Sequence, residues 1–201
     1  MSTPLTDSIQ NLTDYINDVT GGDDTNLSDA VATLASEYGN YSIDDIASGN
    51  EPSGDIVISA KSIRTSCFWD CLGLTSVIFE GTESIGGNAF YGCTNLTSIY
   101  GKNVTTIKSQ AFMNCFKLTD IKMPKLQTIG ATAFRTTYDL TSISLPSAID
   151  IGANAFLGCS KLKDIYLPND ASTYTNAPWG ATNATIHYNT QFDENGEPIL
   201  E

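Results

Sequence analysis

The chain has 201 residues, 41% of them hydrophobic, with 23 acidic and 10 basic side chains for a net charge of −13. That is enough apolar material for a folded core, and the charge excludes nucleic acid and anionic membrane surfaces as partners, because both demand a positive footprint. All ten basic residues lie between Lys61 and Lys163, so a near-neutral centre separates two flanks that carry acid and no base; domain boundaries are expected where the charge changes.

The first seven residues, Met1 to Asp7, contain neither a basic n-region nor an apolar h-region, so no secretory signal is read there. No run approaches the roughly 20 apolar residues of a membrane span, and membrane insertion is not expected. Leu5, Ile9, Leu12, Ile16 and Val19 step by 4, 3, 4 and 3, a heptad seam shorter than a coiled coil requires. Gly21-Gly22-Asp23-Asp24 breaks it. A second helix is expected from an N-cap at Ser28 to a C-cap at Gly39, with Leu27, Val31, Leu34 and Tyr38 on one face. Such narrow stripes are marginal alone in water. Residues 1–50 are thus read as an acidic helical segment that pairs internally, docks on the chain beyond residue 50, or joins copies into a homo-oligomer through residues 5–38.

From Glu51 an internal repeat takes over. Phe68, Phe90, Phe112, Phe134 and Phe156 recur every 22 residues, as do Leu74, Leu96, Leu118, Leu140 and Leu162; Val77, Ile99, Ile121, Ile143 and Ile165; and Ile63, Ile85, Ile107, Ile129 and Ile151. Four columns in one register define a solenoid. In Leu118-Thr-Asp-Ile121-Lys-Met123 apolar and polar residues alternate, which predicts a short strand with one buried face. The Ala-Phe-x-x-Cys-x-x-Leu arc has apolar residues about three apart, the spacing of a short helical or 3₁₀ turn. One unit cannot bury its own apolar side, whereas stacked units make a continuous core with parallel strands. The fold class expected is therefore an α/β repeat, a solenoid of 22-residue coils over residues 51–169.

The run Ala89-Phe-Tyr-Gly-Cys93-Thr-Asn-Leu96-Thr-Ser-Ile99, with copies starting at 111, 133 and 155, resembles the BspA-like class of leucine-rich repeats over about 115 of the 201 residues. The resemblance implies a leucine-rich-repeat solenoid and bacterial surface, adhesin or phage-associated binding proteins without a shared catalytic centre. This sequence departs from the pattern with Cys67 in place of Ala, Thr137 in place of Cys, and no apolar residue at Gly101; looser packing is expected at Thr137. Leu27 to Gly39 and Pro178-Trp-Gly-Ala181 are also similar to tail-associated structural proteins of phages from gut Firmicutes. An extracellular or virion location follows from these resemblances, with a cytoplasmic stage before release.

After Pro168 the repeat is expected to stop. Residues 170–201 read as a cap, with Trp179 as a lid, Ile186 and Tyr188 on an added edge strand, and Gln191 to Glu201 as a mobile tail or the start of a further segment. An exposed apolar end requires such a cap.

Little in the chain points to chemistry. Cys71, Cys93, Cys115 and Cys159 share one column whose side chains point in parallel, so buried free thiols are expected instead of disulfides. Cys67 and Cys71 have the wrong spacing for zinc, and His187 is the only histidine to assist. Neither a nucleophile motif nor a calcium loop is present, and Asp120 and Asp164 stand two coils apart, near 10 Å by the strand spacing, with no third group. An enzyme is not expected, nor a metal or cofactor. Ligand contact is expected on the outward strand columns instead, at Ile78, Tyr100, Lys122 and Tyr166 on one and Asp120 and Asp164 on the other. Tyr100 and Tyr166 carry the polar-tipped aromatic surface that suits a glycan or a protein partner, although tyrosines also favour strands for their own sake. The function expected is a non-catalytic binding module; a purely structural assembly protein is the alternative.

Overall fold

The computed structural model describes residues 53–200. The helices read over residues 5–38, and the 1–50 segment as a whole, lie outside the described residues.

Each coil carries two short strands. β1 (Gly54–Ile58) and β2 (Ser62–Ile63) form the first; β3 (Leu74–Phe79) and β4 (Ser84–Ile85) the second; β5 (Ser98–Tyr100) and β6 (Thr106–Ile107) the third; β7 (Asp120–Lys122) and β8 (Thr128–Ile129) the fourth. β9 (Ser142–Ser144) and β10 (Asp150–Ile151) make the fifth, β11 (Asp164–Tyr166) lies in the sixth, and β12 (Thr185–His187) closes the stack. The odd-numbered strands up to β11, with β12, build one side and the even-numbered strands from β2 to β10 the other. Pairing is parallel throughout, and repeat positions face each other: Val77 opposite Ile99, Ile99 opposite Ile121, and Ile63 opposite Ile85. The 22-residue columns of the sequence are therefore columns in space. The β2–β10 ladder, carried by the Ile63 to Ile151 column, is continuous. The other side is two plates, β1-β3-β5-β7 and β9-β11-β12, whose ladder is interrupted between β7 and β9.

The arcs correct the sequence expectation. Among the described residues there is no α-helix, and the one 3₁₀ helix, Ala171–Thr173, lies outside the arcs. The expected α/β repeat is instead a β-solenoid. The reason lies in where the arc amides point. In the second coil Asn88, Phe90 and Gly92 donate to the carbonyls of Ser109, Ala111 and Met113 in the next coil, at 3.1, 2.7 and 2.9 Å. The alternate amides of Tyr91 and Cys93 close local turns onto Asn88 and Phe90. A helix would aim every amide along one axis, whereas here every second one is spent on the neighbouring coil. That alternation requires left-handed backbone at two places per arc, Ser66, Asn88, Gln110, Thr132, Asn154 and Asn176 on one column and Asp70, Gly92, Asn114, Thr136, Gly158 and Gly180 on the other. Asn and Gly recur there because they adopt positive φ at least cost. Both columns continue past Pro168, so coil geometry persists to about residue 184 before β12.

The core is a stack of repeated side chains. Phe90, Phe112, Phe134 and Phe156 are fully buried, and their rings lie nearly parallel at centroid separations of 5.1, 5.5 and 5.8 Å. Phe68 begins the stack 4.9 Å from Phe90. None of the five cysteines is in a disulfide. The thiols of Cys93, Cys115 and Cys159 donate to the carbonyls of Phe68, Phe90 and Phe134 at 3.0 to 3.1 Å, and burial pushes the Cys115 thiol well above the ordinary thiol range. These are structural groups.

Two of the sequence's irregularities are absorbed. Gly101 leaves room that Phe79 and Val104 fill, since an added Cβ would stand 2.6 Å from the Val104 side chain. Thr137 does not loosen its coil: it is fully buried, donates to Phe134 O at 2.9 Å and lies 3.0 Å from Cys159 Sγ. At the far end Trp179 is buried edge-on against Tyr174, with its indole N–H on Thr175 O at 2.8 Å. Ile186 extends the sheet on β12 opposite Ile165.

Candidate ligand-binding face

A strand that buries every second residue presents the others outward. Ile78, Tyr100 and Lys122 are consecutive neighbours across β3, β5 and β7, and Tyr166 lies beyond Ser144 on the second plate. Ile78 is 42% exposed. With Tyr100, Gly101, Lys102, Lys122 and Pro124 it lines an open groove of about 540 Å³ floored by Phe79 and edged by Glu80. Three of the residues singled out from the sequence thus come together.

The tyrosines are half-buried, less exposed than their outward positions imply, because each has a local partner. Tyr100 donates its hydroxyl to Asp120 Oδ2 at 2.5 Å, and this bond holds the phenol above the usual tyrosine range. Lys122 is raised too, first by the field of Asp120 and then by its contact with Glu197. On the second plate Tyr166 stacks on His187 at 4.5 Å, while His187 Nε2 lies 2.8 Å from Asp164 Oδ1. Burial, then the Asp164 charge, raises Tyr166. Asp120 and Asp164 therefore serve different clusters.

Sequence reasoning missed what lies between the plates. Gln191 to Ile199 is a hairpin, closed by the Ile199 amide on Gln191 O at 2.8 Å and a bridge between Phe192 and Pro198. Its turn folds back onto the strand face. Ser144 Oγ donates to Gly196 O at 2.8 Å, Lys122 Nζ lies 3.4 Å from Glu197, and Gly196 sits against Pro124 and Pro146. The stretch read as a mobile tail or the start of a further segment thus meets the strand face through a carbonyl, a carboxylate and two proline faces. The sequence signal was Asp193-Glu-Asn-Gly196, a turn-forming run, which announces a turn but not the surface it meets.

No curated protein matches this chain. Among solved structures, a leucine rich repeat protein of T. pallidum is 25% identical over 76% of this chain and 78% of that one, with a TM-score of 0.57. A leucine-rich repeat protein from Bacteroides ovatus is 24% identical over 69% of this chain, with a TM-score of 0.55, and shares the fold; this chain covers 43% of its length. The BspA type leucine rich repeat region matches residues 61–183 in six copies, a span that agrees with the persistence of coil geometry past Pro168. With the repeat columns, the two parallel ladders and this match together, the chain belongs to the BspA-type leucine-rich-repeat family.

Proposed function

We propose that the chain is a non-catalytic binding and adhesion module that recognises a surface protein or glycan outside the cell, on a bacterial surface or a phage tail. The observation that carries this reading is the groove at Ile78, Tyr100 and Lys122. It pairs an exposed aliphatic and an aromatic with two ammonium groups on a rigid repeat core, the combination of apolar anchor and polar rim that recognition surfaces use. Asp120 and Asp164 are engaged by Tyr100 and His187, which supports a role without paired catalytic acids. Purified chain is to be tested on glycan arrays and on intact bacterial cells beside Ile78→Glu and Tyr100→Phe. Loss of binding in the first variant and retention in the second support the groove; undiminished binding by Ile78→Glu refutes it.

A structural role is the second reading, favoured by the hairpin that already covers the middle of the face. On this reading residues 5–38 join copies, and the solenoid is a spacer. Light scattering behind size exclusion on the full chain, and on a chain beginning at Glu51, separates the readings: an oligomer that becomes a monomer on shortening assigns assembly to residues 1–50.

A further inference from the structure

Three features coincide at the middle of the strand face. The ladder is interrupted between β7 and β9, while the opposite sheet is unbroken from β2 to β10, so the stack has a seam on one side only. Ile121, at the lip of that seam, is half-buried, whereas Ile99, Ile143 and Ile165 of the same column are closed to solvent. The turn of the Gln191–Ile199 hairpin lands here and touches both lips, Lys122 and Pro124 on the β7 side and Ser144 and Pro146 on the β9 side.

The turn carries its own hydrogen bonds. The Asp193 carboxylate accepts the amides of Asn195 and Glu197, each at 2.9 Å, the Gly196 amide returns to Asp193 O at 3.1 Å, and Gly196 takes a left-handed φ of 80°. None of Gln191 to Leu200 is buried. It is therefore an internally hydrogen-bonded acidic knob on a seat with one ammonium, one hydroxyl and two proline faces. The fit is tight: a Cβ at position 196 would come within 3.1 to 3.2 Å of both prolines. Lys122 and Pro124 also line the groove, so a ligand that takes the Lys122 ammonium must compete with Glu197 for it.

We propose that the seam is a docking site for an acidic β-turn, occupied in cis by Asp193–Glu197 as a detachable strap. The seam and its occupant stand on their own contacts; the competition with ligand rests on the proposal that the groove is the binding surface. The test uses the full chain, a chain ending at Thr190, and a fluorescent peptide of residues 191–201. Ending at Thr190 removes none of the buried core, and a cooperative unfolding transition lowered by no more than about 2–8 °C, the share of the strap's own contacts, checks that.

The peptide is expected to bind the shortened chain and to bind the full chain roughly tenfold more weakly, because the tethered strap competes at a high effective concentration. Lys122→Glu weakens binding to the shortened chain by about fivefold or more, and added salt does the same in part, as a solvent-exposed ion pair requires. In the full chain the amide resonances of Gly196 and Glu197 differ from those of the free peptide, and Lys122→Glu moves them toward it. Free-peptide resonances for those two residues in the parent chain, or a shortened chain that ignores the peptide, overturn the proposal. Neither readout involves the groove's ligand, so a failure of Ile78→Glu to reduce cell binding condemns the groove and leaves the strap standing.

Discussion

Thr132 sits at φ 55° in the column where Asn88, Asn154 and Asn176 hold the same left-handed backbone. A β-branched residue is the least suited to that region, and left-handed geometry costs an ordinary L-residue about 1–2 kcal/mol. The backbone cannot relax out of it. The Thr132 amide donates to Ala153 O at 3.1 Å and its carbonyl accepts the Arg135 amide at 3.1 Å, so leaving the conformation would break the arc's link to the next coil. Thr132→Asn replaces the branched side chain by one that tolerates positive φ. It gives up the hydrogen bond from Thr132 Oγ1 to Ala131 O at 2.7 Å, which on this exposed surface is worth about 0.5 kcal/mol. The net gain is about 0.5–1 kcal/mol, or about 1–4 °C in Tm for a chain of this size. Asn154→Thr one coil along should lower Tm by a similar amount. Thermal unfolding followed by circular dichroism on both variants is the assay. Shifts of the same sign, or no shift in either, refute the argument that left-handed strain is what the column selects against.

Phe112→Ala removes a fully buried ring between two parallel neighbours and should cost about 3–5 kcal/mol in urea unfolding; Phe68→Ala, with one ring of the stack beside it, should cost less. Asp55 Oδ1 accepts Ser76 Oγ at 2.6 Å and Thr75 Oγ1 at 2.8 Å, which holds its carboxyl below the ordinary value of 3.8. Its contribution is therefore present above the unfolded pKa and lost as pH falls through the lower folded one; NMR titration should show Asp55 ionising at lower pH than in Ser76→Ala. The Cys115 thiol, raised by burial, should resist a thiol-specific reagent in the native chain and react on unfolding; rapid native labelling contradicts the buried column.

What was legible in the sequence is what repeats. The Phe, Leu and Ile columns gave the period, the core and one strand per coil, because each column is a direct record of nearest-neighbour burial. The second ladder was passed over since two residues, such as Ser84-Ile85 or Thr106-Ile107, are too few to show alternation. The arcs were misread for a physical reason: apolar spacing of three is shared by a 3₁₀ turn and by a turn whose alternate amides serve the next coil. The Asn and Gly residues at positions 88, 92, 154 and 158 carried the distinction, as sites that accept left-handed backbone. The groove residues Ile78, Tyr100 and Lys122 were found because they follow the core column of Val77, Ile99 and Ile121 by one position, where a strand turns its side chains outward. The hairpin on Ser144 and Lys122 was not, since its contacts join positions 52 and 75 residues apart, at no multiple of the period.

The seam locates where this solenoid can yield. In a repeat protein stability is close to a sum over neighbouring interfaces, so an interrupted ladder weakens one interface without unfolding the rest. At that interface the β8–β10 pairing and the 5.8 Å Phe134–Phe156 stack remain, and both lie away from the outward face. The strap adds one exposed ion pair and one hydroxyl bond across the gap, together about 1–2 kcal/mol. That is small beside a ring stack and large beside thermal energy. A strap of that strength stays seated most of the time and still yields to a ligand that offers Lys122 a better partner. The coils beneath it are held by the columns that the sequence repeats, so the face can open at the seam while the stack stays folded.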